Sequence, residues 1–111
     1  MGFVAAEIAR EVVRGIRWLL NPEIVRSADL RSQIERAATS IALNLAEANG
    51  RTGKDRLNRF GFALGSAREL RAAVESCADL GFVDERSIEN VLATIEREIR
   101  LLYGLRYPKA R

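Results

Sequence analysis

The sequence predicts an all-α protein, specifically an antiparallel up-down-up-down four-helix bundle. Apolar residues recur at steps of three and four along four separate segments. The chain is rich in Ala, Leu, Arg and Glu, which favour helices, and it contains only two prolines. Short connections join the segments, so consecutive helices should run antiparallel. We expect one domain, 1–111, with helices at roughly 4–20, 28–49, 53–80 and 85–106.

The first two helices are defined by apolar stripes and by the residues that end them. The stripe of helix one consists of Ile8, Val12, Ile16 and Leu19. Pro22 ends this helix, because proline disfavours a helical conformation in the residue before it. The stripe of helix two consists of Ile34, Ala38, Ile41, Leu45 and Ala48. Asn49 and Gly50 follow it and predict a left-handed C-cap.

Helices three and four are recognised in the same way. The coiled-coil-like stripe of helix three consists of Phe60, Ala63, Ala67, Leu70, Val74, Cys77 and Gly81. Thr52 and Asp55 form a variant capping box before it, and Gly81 ends it. The stripe of helix four consists of Ile88, Val91, Leu92, Ile95, Ile99 and Leu102. Asp84 is its expected N-cap.

Composition indicates a soluble globular protein. The hydrophobic fraction is 48% and the charged fraction is 30%, which argues against disorder. No segment approaches the roughly 20 apolar residues of a membrane span, and charges at Glu7, Arg10 and Glu11 interrupt any signal peptide. A single cysteine, Cys77, allows no intrachain disulfide. We therefore expect a cytoplasmic protein that does not contact membranes.

The residues needed for common catalytic and metal sites are missing from the sequence. The chain has no histidine, so the Glu-x-x-His pairs of di-iron bundles cannot occur. Cys77 falls on the apolar stripe of helix three, where a small buried side chain is expected. The glycines form no phosphate-cradling motif, and no nucleophile and base are suitably spaced. We expect neither enzymatic activity nor a cofactor or metal.

Polar side chains at helical spacing form a second pattern. Ser40, Asn44 and Glu47 share one side of helix two, and Ser66 and Glu69 share one side of helix three. Partly buried polar groups must be paired, or each costs about 1 to 3 kcal/mol. We interpret these five residues, the polar network, as an interhelical or intersubunit hydrogen-bond network. A ligand site and simple solvation are the alternatives.

Two further features concern helix packing. Gly61 and Gly65 lie inside helix three, where each costs about 1 kcal/mol relative to alanine, so we expect a close approach by another helix there. Large apolar residues also lie off the stripes, namely Trp18, Leu43, Phe62 and Leu80. Scattered exposed apolar residues are normal, but four such residues on three helices favour self-association.

Charge is distributed unevenly, although the net charge is only +3. In the predicted topology, the turn between helices two and three lies beside the C-terminus of helix four. We define the basic pole by the cations collected there: Arg51, Lys54, Arg56, Arg59, Arg106, Lys109 and Arg111. Acidic residues dominate the opposite end, within 75–89. The basic pole predicts contacts to nucleic-acid phosphates, and a solvated charged rim is the alternative.

Residues 36–83 contain a recognisable pattern: an RAA-S-I-x-x-N-I-A-E-G run, a basic turn, a phenylalanine-bearing segment, A-x-G-S-x-x-E-L, and a Leu-Gly helix end. The matching residues are Arg36, Ala37, Ala38, Ser40, Ile41, Asn44, Ala46, Glu47, Arg51, Phe60, Ala63, Gly65, Ser66, Glu69, Leu70, Leu80 and Gly81. In this pattern the chain resembles the four-helix-bundle family of 23S rRNA intervening-sequence proteins.

The resemblance implies a bacterial protein that assembles as a ring-like homopentamer and binds nucleic acid. Some members are encoded inside ribosomal RNA genes, and a related bundle is the accessory protein of diversity-generating retroelements. We therefore expect a non-enzymatic homopentamer that binds RNA through the basic pole. The alternative is a protein-binding scaffold or accessory factor, for example a partner of a reverse transcriptase.

Overall fold

The computed structural model describes residues 2–109, and this part of the chain forms four α-helices and two short 3-10 segments. The α-helices are α1 (Gly2–Ile16), α2 (Ala28–Asn49), α3 (Gly53–Asp79) and α4 (Glu89–Arg106). The 3-10 segments are Arg17–Leu20, which continues α1, and Glu85–Ile88, which leads into α4. When each 3-10 segment is counted as part of the α-helix beside it, the helices begin and end within about two residues of the ranges expected from sequence periodicity.

Each helix packs antiparallel against two neighbours. α2 lies between α1 and α3, α4 lies between α3 and α1, and the α2–α3 pair has the most extensive contact. Gly61, near the start of α3, faces Arg106 at the end of α4, and Gly15, near the end of α1, faces Val91 near the start of α4. The all-α, up-down-up-down bundle is therefore confirmed. It measures 47 × 22 × 18 Å, so its two ends are well separated.

The end of α1 differs from the expectation for one residue, Trp18. At Arg17 the helix tightens into the 3-10 form, which has three residues per turn instead of 3.6. This change rotates Trp18 away from the arginine-bearing side, and its ring packs partly buried against the core. The prediction that Trp18 is one of the exposed apolar residues is wrong, because it assumed an uninterrupted α-helix.

The end of α3 forms a Schellman motif around Gly81. Gly81 has a left-handed backbone with φ of +80°, which glycine adopts without steric cost. The N–H of Phe82 donates to the carbonyl of Cys77 at 2.9 Å, and the N–H of Gly81 donates to that of Ala78 at 2.9 Å. Two carbonyls left free by the end of the helix are thereby satisfied.

The turn between α2 and α3 has a different geometry from the one expected. Gly50 has φ of −96°, so the prediction of a left-handed C-cap there is wrong, and the left-handed residue is Gly53 with φ of +59°. Thr52 is the N-cap residue of α3, but its side chain makes no capping hydrogen bond. This turn is instead organised by Arg51, which is described below.

The core is built from the predicted stripes. All stripe residues are buried except Leu92, which is half-buried, and the exposed Gly81. Cys77 is fully buried, and this burial raises the pKa of its thiol, as expected for a structural cysteine. Across residues 2–109, no helix combines the length and apolar character needed to cross a bilayer.

Candidate nucleic-acid interface

Three members of the polar network meet across the α2–α3 seam. The hydroxyl oxygens of Ser40 and Ser66 lie 2.8 Å apart and share a hydrogen bond. Nδ2 of Asn44, one helical turn after Ser40, donates to the Ser40 carbonyl at 2.9 Å and to its Oγ at 3.1 Å. Ser66 is only 8% exposed, so its hydroxyl would be costly to leave unpaired. These contacts link α2 and α3 of the same chain.

Glu47 and Glu69 do not join these three residues within the chain, and their part in a network between subunits stays a prediction. The carboxylate of Glu47 accepts hydrogen bonds from Arg51, at 3.0 Å from Nη2. Glu69 is exposed on the rim of a groove of about 390 Å³. Both carboxylates are exposed to solvent, which removes the need for a buried partner. The groove is lined by Gln33, Arg36, Ala37, Ser40, Ser66 and Glu69.

The helix-three glycines behave differently from each other. A Cβ on Gly61 would lie 2.9 Å from Nε of Arg106, so a neighbouring side chain, not a helix backbone, fills this space. A Cβ on Gly65 would meet nothing within 4 Å among the described residues, so the expected close approach is not made by this chain's own helices. Sequence reasoning missed Gly15, where a Cβ would lie 2.9 Å from Cγ2 of Val91.

The bundle topology brings the two halves of the basic pole together at one end. Six of its seven predicted residues lie in the α2–α3 turn, in the start of α3 and at the end of α4, while Arg111 lies outside the described residues. The contact between Arg106 and Gly61 shows that the two segments adjoin. The opposite end exposes five acids, namely Glu75, Asp79, Asp84, Glu85 and Glu89.

Arg51 is held between two carboxylates. Its Nη1 lies 2.7 Å from Oδ2 of Asp55, and its Nη2 lies 3.0 Å from Oε2 of Glu47. Both hydrogen bonds raise the pKa of the guanidinium, and the bond to Asp55 has the larger effect. The charge of Arg51 is thus compensated locally, and this residue fits the role of a turn clamp better than the phosphate contact that was predicted.

Three other arginines of the basic pole lie on aromatic rings instead of carboxylates. The guanidinium carbon of Arg56 lies 5.3 Å from the centroid of Phe60, that of Arg59 lies 5.6 Å from Phe62, and that of Arg106 lies 4.8 Å from Tyr107. Within residues 2–109, none of the three makes an ion pair with an acid. Cation–π contact orients a guanidinium while leaving its charge uncompensated. Lys54 and Lys109 are exposed at the same end.

Glu98 is a buried acid that the sequence analysis did not identify. It is 0% exposed, and neither carboxyl oxygen has a hydrogen-bond partner among residues 2–109. Burial raises the pKa of the carboxyl from 4.5 to about 8, an effect that Arg97 opposes and Glu11 reinforces. A signal existed, because Ile95, Glu98 and Leu102 follow the steps of three and four that mark a buried stripe.

The exposed apolar side chains agree only partly with the prediction. Leu43, Phe62 and Leu80 are exposed as expected, whereas Trp18 is not. Further exposed large apolar side chains occur at Phe3, Val4, Tyr103 and Tyr107. Sequence reasoning missed these because they lie near helix ends, where a departure from the stripe is not visible as a break in periodicity.

The fold and the charge distribution define a class: a small antiparallel four-helix bundle with one basic end and one acidic end. The chain belongs to the 23S rRNA-intervening sequence protein family, whose model matches residues 4–104. The crystal structure of a protein with unknown function from the S23 ribosomal protein family of Bacteroides thetaiotaomicron has a similar fold. Its TM-score is 0.83 at 22% identity, and the match covers 94% of this chain and 96% of that chain. No curated protein shows a significant match.

Proposed function

We propose that this protein is a non-enzymatic, self-associating helical bundle that binds RNA through its basic pole in the cytoplasm. The proposal rests on the surroundings of three guanidinium groups, those of Arg56, Arg59 and Arg106. These side chains lie on aromatic rings, and no acid among residues 2–109 compensates them. Arginine forks held in this way suit phosphate oxygens, and counterion release from the nucleic acid supplies the affinity.

Membership of a family named for 23S rRNA intervening sequences supports RNA as the nucleic acid. For the assembly we propose a homopentamer, which follows from the resemblance described above. The exposed side chains of Leu43, Phe62 and Leu80 are consistent with contacts between copies. A closed ring would carry the basic poles of all its copies on one face and so multiply the attraction for phosphates.

A second candidate function is a protein-binding scaffold, for example an accessory factor of a reverse transcriptase. The same exposed apolar residues favour it, because they could contact a different protein instead of a second copy. In that case the basic pole would be secondary, and binding of RNA alone would be weak.

Light scattering coupled to gel filtration, with and without a structured RNA, tests both candidates. We expect a pentamer whose mass increases with RNA at about 50 mM salt and increases much less at about 200 mM salt. If the mass does not change with RNA at either salt concentration, the result contradicts the proposal and favours the protein-binding scaffold.

Charge reversal then tests the surface itself. Arg56→Glu combined with Arg59→Glu should lower RNA affinity about tenfold or more and reduce the salt slope by about 2, with the oligomer unchanged. Arg14→Glu combined with Arg17→Glu is the matched control, because both residues are exposed at the far end of α1 and the change in net charge is the same. Equal losses in the two double variants would mean that only net charge matters.

A further inference from the structure

Exposed aromatic rings are concentrated in the basic half of the bundle. Within residues 2–109, the exposed rings are Phe3, Phe62, Tyr103 and Tyr107. All four lie in the half that contains the start of α1, the start of α3 and the end of α4. The remaining aromatic rings, Trp18, Phe60 and Phe82, are buried or partly buried. Charge alone does not explain why exposed rings and arginines occur together.

The end of α4 arranges two of these rings and an arginine in one unit, which we call the tyrosine platform. The rings of Tyr103 and Tyr107 lie one helical turn apart, with centroids 4.9 Å from each other, and they are 52% and 53% exposed. The guanidinium of Arg106 lies over Tyr107 at 4.8 Å. Its side chain crosses the surface of α3 at Gly61, where a Cβ would lie 2.9 Å from Nε. The absence of a side chain at Gly61 therefore helps to hold Arg106 against the ring.

Such a unit offers two kinds of contact at once. Exposed rings stack on the flat faces of nucleobases, and a guanidinium beside them binds phosphate. In a duplex the faces of the bases are covered by their neighbours, so only unpaired bases can use the rings. Phosphate binding alone would use the ring of Tyr107, which orients Arg106, and would leave the exposed ring of Tyr103 without a role.

We propose that Tyr103, Arg106 and Tyr107 bind unpaired bases, so that the basic pole prefers single-stranded to double-stranded nucleic acid. This inference rests on the proposed function, since it names the form of nucleic acid that the same pole binds. A second copy of the chain is the other candidate occupant for two exposed rings. Pairing of this surface with itself would bring Arg106 and Lys109 of both copies together, and this like-charge repulsion disfavours that contact. In a ring the surface would instead meet a different face of the next copy, and a change of oligomer in the variants below would reveal such a contact.

Variants that remove the rings of Tyr103 and Tyr107 can be compared directly with variants that keep them. Fluorescence anisotropy would measure binding of a labelled oligo-uridine strand, and of a duplex with the same number of phosphates, to the full-length protein. Tyr103→Leu combined with Tyr107→Leu should weaken strand binding by about tenfold or more and leave duplex binding within about twofold. Tyr103→Phe combined with Tyr107→Phe keeps both rings and should match the original protein.

The outcomes separate this inference from the proposed function. If the leucine variant binds the strand normally while charge reversal at Arg56 and Arg59 weakens binding, the platform is wrong and the phosphate-binding pole stands. If the original protein binds neither strand nor duplex, the proposed function fails and this inference fails with it. If the leucine variant changes the oligomer in light scattering, the tyrosines lie between subunits and the platform is overturned. Should the double leucine variant fail to fold, Tyr107→Leu alone is tested against Tyr107→Phe by the same criteria.

Discussion

The hydroxyl oxygens of Ser40 and Ser66 lie 2.8 Å apart, and each residue lies near the middle of its helix. This hydrogen bond fixes how α2 and α3 are aligned along their axes. These two helices form the most extensive contact in the bundle. Ser66→Ala should therefore reduce the free energy of unfolding by about 1 kcal/mol, since it removes the partner of a part-buried hydroxyl. Urea unfolding at fixed protein concentration measures the change.

Ser76→Ala provides the comparison within α3. The Ser76 hydroxyl donates only to the carbonyl of Ala72 in its own helix, so its removal should change stability by less than about 0.5 kcal/mol. The double variant Ser40→Ala with Ser66→Ala should cost less than the sum of its single variants, because no hydroxyl at the seam then loses its partner. Additive costs would show that the two side chains do not interact.

Glu98 should make the stability of the bundle depend on pH. Because its pKa rises from 4.5 to about 8 on folding, the folded chain retains a proton that the unfolded chain releases. The stabilising contribution of this proton is complete below about pH 4.5, falls as the pH rises toward 8 and is lost above it. The slope due to this group is at most about 1.4 kcal/mol per pH unit.

Two substitutions isolate this effect. Glu98→Gln cannot ionise, so the difference in unfolding free energy between the original protein and this variant should change with pH between about 5 and 8. Glu98→Leu completes the apolar stripe and should stabilise the bundle at pH 7 by about 1 to 3 kcal/mol. Parallel stability curves for the original protein and Glu98→Gln would mean that the carboxyl does not hold its proton.

Three glycine-to-alanine substitutions should have different effects, because the space around each glycine differs. Gly65→Ala replaces glycine by a residue that favours helices, and nothing lies within 4 Å of the new Cβ. This substitution should stabilise the protein by up to about 1 kcal/mol. Gly15→Ala would place Cβ 2.9 Å from the branched side chain of Val91 and should destabilise by about 1 to 3 kcal/mol. Thermal unfolding of all three variants at one protein concentration gives this order.

Gly61→Ala lies between these cases. Its Cβ would meet the flexible side chain of Arg106, which can move aside, so stability should change by less than about 1 kcal/mol. The displaced guanidinium should leave the Tyr107 ring, and strand binding should weaken while the fold is retained. A loss of stability as large as that of Gly15→Ala would show that α3 and α4 pack more tightly at Gly61 than the contact with Arg106 implies.

The helices could be predicted from the sequence because amphipathic periodicity is local and is repeated many times in each helix. Ser40 and Ser66 could be placed near one seam for the same reason, since each lies beside an apolar stripe. Glu98 was missed because a carboxylate was assumed to lie at the surface, although its spacing from Ile95 and Leu102 is that of a buried residue. The path of Arg106 over Gly61 could not be predicted, because it depends on the separation and rotation of two helices.

Arg51 and Arg56 provide the last prediction, because they lie close together in the chain but differ in their partners. Glu47 and Asp55 compensate Arg51 on both sides, whereas Arg56 lies on the ring of Phe60. A phosphate would have to displace two carboxylates to reach Arg51, but it can approach the guanidinium of Arg56 directly. Arg56→Gln should therefore weaken RNA binding and reduce the salt slope by about 1, while Arg51→Gln leaves affinity within about twofold. Titrations of RNA with both variants at several salt concentrations measure these changes. Equal losses of affinity would mean that Arg51 leaves Glu47 and Asp55 when RNA binds.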